Sequence, residues 1–427
     1  MKKIITLIIA LALVAAVAVG MVACKKDGST EVKQLDMNGV KTTVTVDGAS
    51  VGTPIAASQI KVGLITLHGT ESTYDANFIE AFYAATAALG IPSSNVIVRS
   101  NIGETDACYQ TASDLVDQGC NIIFADSFGH ESYMLQAAQE FPNVQFCHAT
   151  GTKAHTAGVA NYHNAFASIY EGRYLAGVAA GMKLNEMITA GTITAAQAKM
   201  GYVGAWPYAE VKSGYTAFYL GAKSVCPSVT MEVKFTNSWY DETAENETAT
   251  ALIAAGCKLI SQHADSYGAP SACEAAGVPN VSYNGSTAAR CPNTFIVSSR
   301  INWAPYYTYA ISSVIAGKAI ATDWCGTIAT GSVELTAFGT VAPAAGTAAK
   351  VAEVKAKLQS TGTDKINVFD ATTFTKGGAT LTEYVADVDD LGDFQGETNV
   401  IVNGVFYESI GRSAPYFDID IDGISIK

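Results

Sequence analysis

The chain has 427 residues, more than one hydrophobic core usually serves, and 49% of them are hydrophobic against 15% charged. That balance excludes a disordered or low-complexity chain, which carries high charge and few apolar residues. The net charge is −13, from 39 acids and 26 bases. With no basic patch in view it excludes a nucleic-acid binder and suits a solvated protein that meets small neutral or cationic solutes.

Lys2 and Lys3 precede an uncharged apolar run over 4–23 that ends in the segment MVAC at Cys24. From Lys25 the chain turns polar at once. A short apolar stretch closed by a small residue is the pattern of a secretory signal rather than a span. The cysteine at the cleavage point makes 1–24 resemble a bacterial lipoprotein signal, in which Cys24 is lipidated and becomes the first residue. The alternative is an uncleaved N-terminal anchor, since the run nearly reaches bilayer length. Either way the body lies outside the cytoplasmic membrane, held to its outer face by the lipid in the first case. No later segment is long enough to span. Residues 25–58 are polar and rich in Thr, Val and Gly, and they read as a tether with a short strand.

Residues 61–67 form a buried-strand run, and 76–89 carry apolar residues at helical spacing. The alternation continues with strands at 95–99, 121–125 and 144–147 and helices at 106–119 and 131–141. A second series follows: helix 170–183, strand 200–205, helix 209–224, strand 230–236, helix 243–255, strand 259–262, helix 268–276 and strand 281–283. Continuous apolar strands separated by helices of this length indicate βαβ units, and two such series indicate an α/β chain of two doubly wound parallel-sheet lobes joined by a hinge. The boundaries expected are a first lobe at 59–161 and a second at 162–284. A return to the first lobe follows at 285–323, with strand 294–298 and helix 304–315, and then a return to the second with a C-terminal extension at 324–427. Helix 348–358 is the clearest element of that extension.

Ligands of open parallel sheets bind beyond the C-terminal ends of the strands. The loops that follow the strands here carry, in turn, His68 to Asn77, Asp126 to Glu131, Trp206 to Tyr208, Asn237 to Asp241, His263 to Tyr267, Asn284 to Ser286 and Arg300 to Trp303. Nearly all offer an aromatic beside a carboxylate, amide or hydroxyl, and Trp206, Trp239 and Trp303 are three of the four tryptophans. Such a cleft suits a flat heteroaromatic ligand held between ring faces and read along its edge. The plainer alternative is that the aromatics plug the lobe interface. No nucleophile elbow, HExxH or Walker A motif is present, and His148, His155 and His163 fit no zinc spacing, so neither enzyme chemistry, metal nor cofactor is expected. The eight cysteines beyond Cys24 include no CxxC and read as isolated buried thiols. The DIDIDG ending lacks the spaced ligands of a calcium loop and reads as a solvated strand end.

Five segments are more specific: HATG at 148–151, YEGRYLAG at 170–177, NSWYD at 237–241, QHADS at 262–266 and INWAPYY at 301–307. On these, the chain from Lys61 to about Gly317 resembles the basic membrane protein family of lipoprotein solute-binding proteins of ABC transporters. The resemblance implies two lobes like those of type I periplasmic binding proteins, a purine nucleoside or free purine base as ligand, and permease and ATPase subunits as partners of a monomer. It also implies site residues. Tyr74 and Phe128 would stack on the purine from the first lobe, beside Asp75 in the same strand-end loop, and Trp239 and Trp206 would close from the second. Asp265 would accept N–H donors of the purine edge, with Asp126 and Asn302 adding polar contacts next to Trp303. Asn284 stands near where the nucleoside-binding branch holds ribose with an Asp-rich segment, and this favours a bare base such as adenine. Another aromatic solute, a sugar, or a ligand-presenting sensor are the alternatives. The hinge is expected near Asn161, Asn284 and Trp324.

Overall fold

The computed structural model describes residues 23–24, 30–33, 43–387 and 398–427; the leader over 1–22, most of the tether up to 42 and the side chain of Cys24 lie outside them. Three short antiparallel strands, Ala23–Cys24, Thr30–Lys33 and Thr43–Val46, precede the first lobe. The chain then lies against that lobe, where the Ile55 amide donates to the Ile315 carbonyl at 3.0 Å.

The run VGLI is buried at every position and forms β1 (Val62–Ile65). β2 (Val96–Arg99), β3 (Ile122–Ala125), β4 (Gln145–Ala149) and β5 (Tyr162–Ala167) pair parallel to it or to one another, linked by α1 (Thr73–Ala88), α2 (Asp106–Asp117) and α3 (Glu131–Glu140). Ser72 starts α1 by accepting from the Asp75 amide at 3.2 Å, which is N-capping by a hydroxyl.

The second lobe begins with α4 (Ile169–Thr189) and continues through β6 (Lys199–Gly204), α5 (Ala209–Val225), β7 (Thr230–Phe235), α6 (Glu242–Ala254), β8 (Leu259–His263), α7 (Gly268–Ala276), β9 (Asn280–Tyr283) and β10 (Phe295–Ile301). α4 and α5 pack closely, and Gly177 is why: a Cβ there would lie 2.0 Å from the Phe218 carbonyl oxygen. Then α8 (Ala304–Ile315) returns to pack on α1, and β11 (Asp323–Gly326) pairs parallel with β5. The first sheet therefore has the order β11-β5-β4-β3-β1-β2. β12 (Val333–Leu335) runs antiparallel to β10, α9 (Thr347–Leu358) packs on α4, and β13 (Ile424–Ile426) adds parallel to β7. The second sheet has the order β12-β10-β9-β8-β6-β7-β13.

Three strands fall on the other side from where the expected boundaries place them. Residues 162–167 begin the expected second lobe, yet β5 pairs with β4 and β11 in the first sheet. Residues 295–301 fall in the expected return to the first lobe, yet β10 lies between β9 and β12 in the second. Residues 324–326 fall in the expected return to the second lobe, yet they belong to β11 of the first sheet. Burial on both faces marks a strand as internal but carries no label for the sheet it joins. The chain changes sheets at Ser168, at Asn302–Trp303 and over 327–332. These crossovers touch: the Ser168 amide donates to the Gly326 carbonyl at 2.7 Å and the Asn302 amide to the Ser332 carbonyl at 2.8 Å. The first two crossovers therefore lie away from Asn161 and Asn284, while the third begins just after Trp324. Asn161 is buried before β5, with Nδ2 donating to the Ala138 and Val144 carbonyls. Asn284 follows β9, and Trp324 sits within β11.

Candidate functional site

The C-terminal ends of both sheets face one cleft. From the first lobe it is lined by Leu67, His68, Tyr74, Asp75, Ser127, Phe128, Thr150 and Phe166, and from the second by Glu210, Trp239, His263, Asp265, Tyr283 and Ile301. The lobes are closed. The Thr73 amide, at the first turn of α1, donates to the Asp265 carbonyl at 3.0 Å, and its hydroxyl reaches the same oxygen at 3.2 Å.

On the first-lobe wall the loop after β1 is drawn in by carboxylates. Asp75 Oδ1 accepts from the His68 amide at 2.8 Å, and Asp126 Oδ1 from the Leu67 amide at 3.1 Å. The Tyr74 hydroxyl donates to the Asp126 carbonyl at 2.7 Å, which fixes the ring against the cavity. Asp126 Oδ2 is buried with no hydrogen bond among the described residues. Burial, and then the charge of Asp75, push the Asp126 carboxyl well above the usual range.

The second-lobe wall is organised by a buried cation. Arg173 of α4, 1% exposed, donates to the Gln262 carbonyl at 2.8 Å and lays its guanidinium 3.4 Å from the centroid of the Tyr283 ring. Gly214 leaves it room, since a Cβ there would stand 3.0 Å from His263 Nδ1 and 3.5 Å from Arg173 Nε. Burial, and then Arg173, hold His263 well below its ordinary pKa, so the ring is neutral. Its Nε2 lies 3.8 Å from Glu210 Oε1, a polar contact and not an ion pair. Burial raises Glu210 to about 7, with Arg173 opposing. Asp265 is raised well above its ordinary value by burial, then by Asp75, Glu245 and Glu210. Neither the Glu210 nor the Asp265 carboxylate takes a hydrogen bond from a described residue, so both are open to a ligand.

At the mouth Phe128, 37% exposed, meets Tyr208 of the opposite lobe at 5.7 Å between centroids. Tyr208 touches Trp239 at 6.0 Å and stacks on Trp206 at 5.9 Å. Of the residues expected from sequence, Tyr74, Asp75, Phe128, Trp239 and Asp265 come together on the cavity, with Asp126 directly behind. The other four lie elsewhere. Trp206 does not line the cavity and stacks on Tyr208 beside its mouth. Asn284 is buried at φ 61°, its amide donating to the Ser299 carbonyl at 2.9 Å. Asn302 Oδ1 accepts from the Ala304 amide at 3.1 Å, at the entrance to α8. Trp303 stacks on Phe78 at 4.3 Å within the core. Sequence reasoning passed over Glu210, Tyr283 and Arg173. Glu210 is the second residue of α5 and not in the strand-end loop, and Tyr283 ends its strand. Arg173 was visible in YEGRYLAG, but nothing in the sequence says that it lies under the floor. Among the described residues no group of three or more His, Cys, Asp or Glu could hold a metal. The eight cysteines from Cys108 onward are free thiols, buried except for the half-buried Cys325.

The profile of the Bmp family, described as ABC transporter substrate-binding protein PnrA-like, matches residues 74–373. A purine-binding protein of Brucella abortus is 33% identical over 217 residues, 51% of this chain and 58% of that protein. A protein of Haloferax volcanii named for glucose binding in an ABC transporter is 34% identical over 219 residues, 51% of this chain and 52% of that one. The matched stretch thus spans little more than half of these curated relatives. An ABC transporter solute-binding protein from Conexibacter woesei shares the fold at a TM-score of 0.57 and 20% identity, covering 70% of this chain and 96% of its own. A transcriptional activator of the comK gene from Bacillus halodurans does so at 0.58 and 19%, covering 71% and 98%.

Proposed function

The chain belongs to the Bmp family of PnrA-like ABC transporter substrate-binding proteins, which are solute binders and not enzymes, and from that premise we propose that it captures a purine, nucleobase or nucleoside, in the cleft between its lobes. The observation that carries this is the pairing of aromatic faces from both lobes (Tyr74, Phe128, Trp239) with two carboxylates, Glu210 and Asp265, that no described residue occupies. Ring faces stack on a planar base at about 1–3 kcal/mol each. A desolvated carboxylate accepts the N–H donors of the base edge and penalises an analogue without them, because the acceptor is then left unpaired. The purine-binding relative supports the ligand class.

Adenine-like bases remain the first candidates, on a different ground from the one sequence suggested. Asn284 is not on the cavity wall, so the identity of that residue does not decide between base and nucleoside. The compact aromatic and carboxylate box around Trp239 suits the base itself. The chain is proposed to hand its ligand to an ABC permease and ATPase as a monomer, held at the outer membrane face through a lipid on Cys24. Mass spectrometry of the N-terminal peptide from native membranes checks the lipid. Unmodified Cys24, or a retained leader, refutes it.

Isothermal titration with adenine, adenosine, guanosine, hypoxanthine and glucose tests the ligand, on protein refolded to remove carried-over solute. Tight adenine binding supports the proposal. Glucose binding with silence from every purine refutes it and favours the sugar suggested by the haloarchaeal relative.

A further inference from the structure

The family profile ends at residue 373, yet the chain beyond it is fastened to both lobes. Its attachment to the second lobe is extensive. β13 extends that sheet beside β7. The Tyr215 hydroxyl donates to Asp420 at 2.7 Å, and Lys212 pairs with Asp418 at 2.8 Å. Ser213 donates to the buried Glu408 carboxylate, and Phe417 stacks at 4.3 Å on Phe369, which meets Tyr170 of α4. The segment 408–426 therefore moves as part of the second lobe.

Ser413 breaks the pattern. Its amide donates to Asp323 Oδ2 at 2.7 Å and its hydroxyl to Asp323 Oδ1 at 2.5 Å. Asn164 Nδ2 donates to the Ser413 hydroxyl at 3.0 Å and to Asp323 Oδ1 at 3.1 Å. Asp323 and Asn164 stand on β11 and β5, the edge pair of the first lobe. The loop that presents Ser413 is closed on itself, with the Tyr416 amide donating to the Glu408 carbonyl at 2.6 Å and the Ser409 hydroxyl to the Ser413 carbonyl at 3.1 Å. Ser413 is 3% exposed.

We propose that this C-terminal segment is a fourth, non-covalent connection across the hinge, and that Ser413, acting through Asp323, is a positioning residue for ligand capture. Three crossovers define a hinge axis but leave the angle about it soft. Hydrogen bonds from one lobe to a carboxylate on the other stabilise whichever angle they are formed at. Here that angle is the closed one, in which Thr73 reaches Asp265. None of Ser413, Asp323 and Asn164 lines the cavity, so the tie adjusts affinity without touching the ligand. The affinity half of the test rests on the proposed purine; the geometric half does not.

The experiment measures the lobe-to-lobe distance in the ligand-free, full-length chain. Fluorescent non-natural residues at the exposed positions Ser94 and Ala255 report it and leave the buried thiols alone. Asp323→Ala is expected to shift the distribution to longer distances and to speed adenine dissociation roughly tenfold, the effect of losing hydrogen bonds to a charged group. Ser413→Ala, which keeps the amide bond to Asp323, is expected to shift it partway and secures the test should Asp323→Ala fold poorly. Wild-type distances in both variants would overturn the proposal, whatever adenine does. If wild-type protein binds no adenine, the purine assignment fails while the distance comparison still decides this one.

Discussion

Trp239 and Trp303 look alike in the sequence, each following a strand beside a polar residue, and the structure gives them opposite duties. Trp239 faces the cavity, while Trp303 is 2% exposed against Phe78. Trp239→Ala is expected to weaken adenine by about 1–3 kcal/mol of lost stacking with little change in denaturant midpoint. Trp303→Ala is expected to lower stability by about 3–5 kcal/mol through the core it leaves unfilled. Titration calorimetry beside urea unfolding separates the two, and a large stability loss in the Trp239 variant would move that residue from the site to the core. Glu210 supplies a second test. Burial pushes its carboxyl up to about 7, and only the ionised form is a full acceptor for a ligand N–H. Adenine affinity is therefore expected to fall as pH drops below 7, by up to about tenfold per unit. Glu210→Gln should remove the part of that dependence due to Glu210, leaving whatever Asp265, also raised by burial, contributes. A pH-independent wild type would exclude Glu210 from the contact.

Among the elements, the pair α4 and α5 joins family pattern to packing. The segment YEGRYLAG reads as a signature without a reason until Gly177 is seen against the backbone of α5, with no space for a Cβ. Gly177→Ala would normally favour a helix, but here the methyl meets a carbonyl oxygen. The expected result is a loss of about 1–3 kcal/mol from overpacking, measured as a lower melting temperature. A raised melting temperature would show that the helices can part without cost. The same motif places Arg173 one turn earlier on the face that supports Tyr283 and His263. One helix thus carries a packing residue and a charge-setting residue a single turn apart.

Across both lobes the buried carboxyls make an unusual demand on pH. Burial raises Glu210 and Glu245 to about 7 and Glu408 to about 8. In the unfolded chain these groups are ionised well below that range, so the folded protein binds more protons and stability falls as pH rises through the folded values. The neutral buried histidines work in the other direction. His130 and His163 are held near 4 by burial, and their contribution is lost as pH falls below the ordinary value of 6.5. His148 and His263 are lowered in the same way, and all four histidines oppose the carboxyls until about one pH unit above their ordinary value. A comparison of wild type with Glu408→Gln by urea unfolding isolates the carboxyl: between pH 6.5 and 8 the wild type is expected to lose about 1–2 kcal/mol relative to the variant. A constant difference between the two would mean that water reaches Glu408.

Much of this protein was legible in the chain itself. Strand and helix order follows from apolar runs such as VGLI at 62–65 and from caps such as Ser72, because burial and local hydrogen bonding are encoded within a few residues. The rule that parallel sheets bind at strand ends singled out the loops that line the cleft, and the family resemblance singled out Tyr74, Phe128, Trp239 and Asp265 within them. Membership of β5 and β10 in a sheet, and with it the position of the hinge, was decided only by tertiary structure, because a strand buried on both faces carries no mark of its neighbours. The same holds for Arg173 and Glu210, which enter the site from helices, and for Ser413, which reaches Asp323 across 90 residues of chain. Local chemistry is written locally; a contact between distant segments exists only once the lobes have packed.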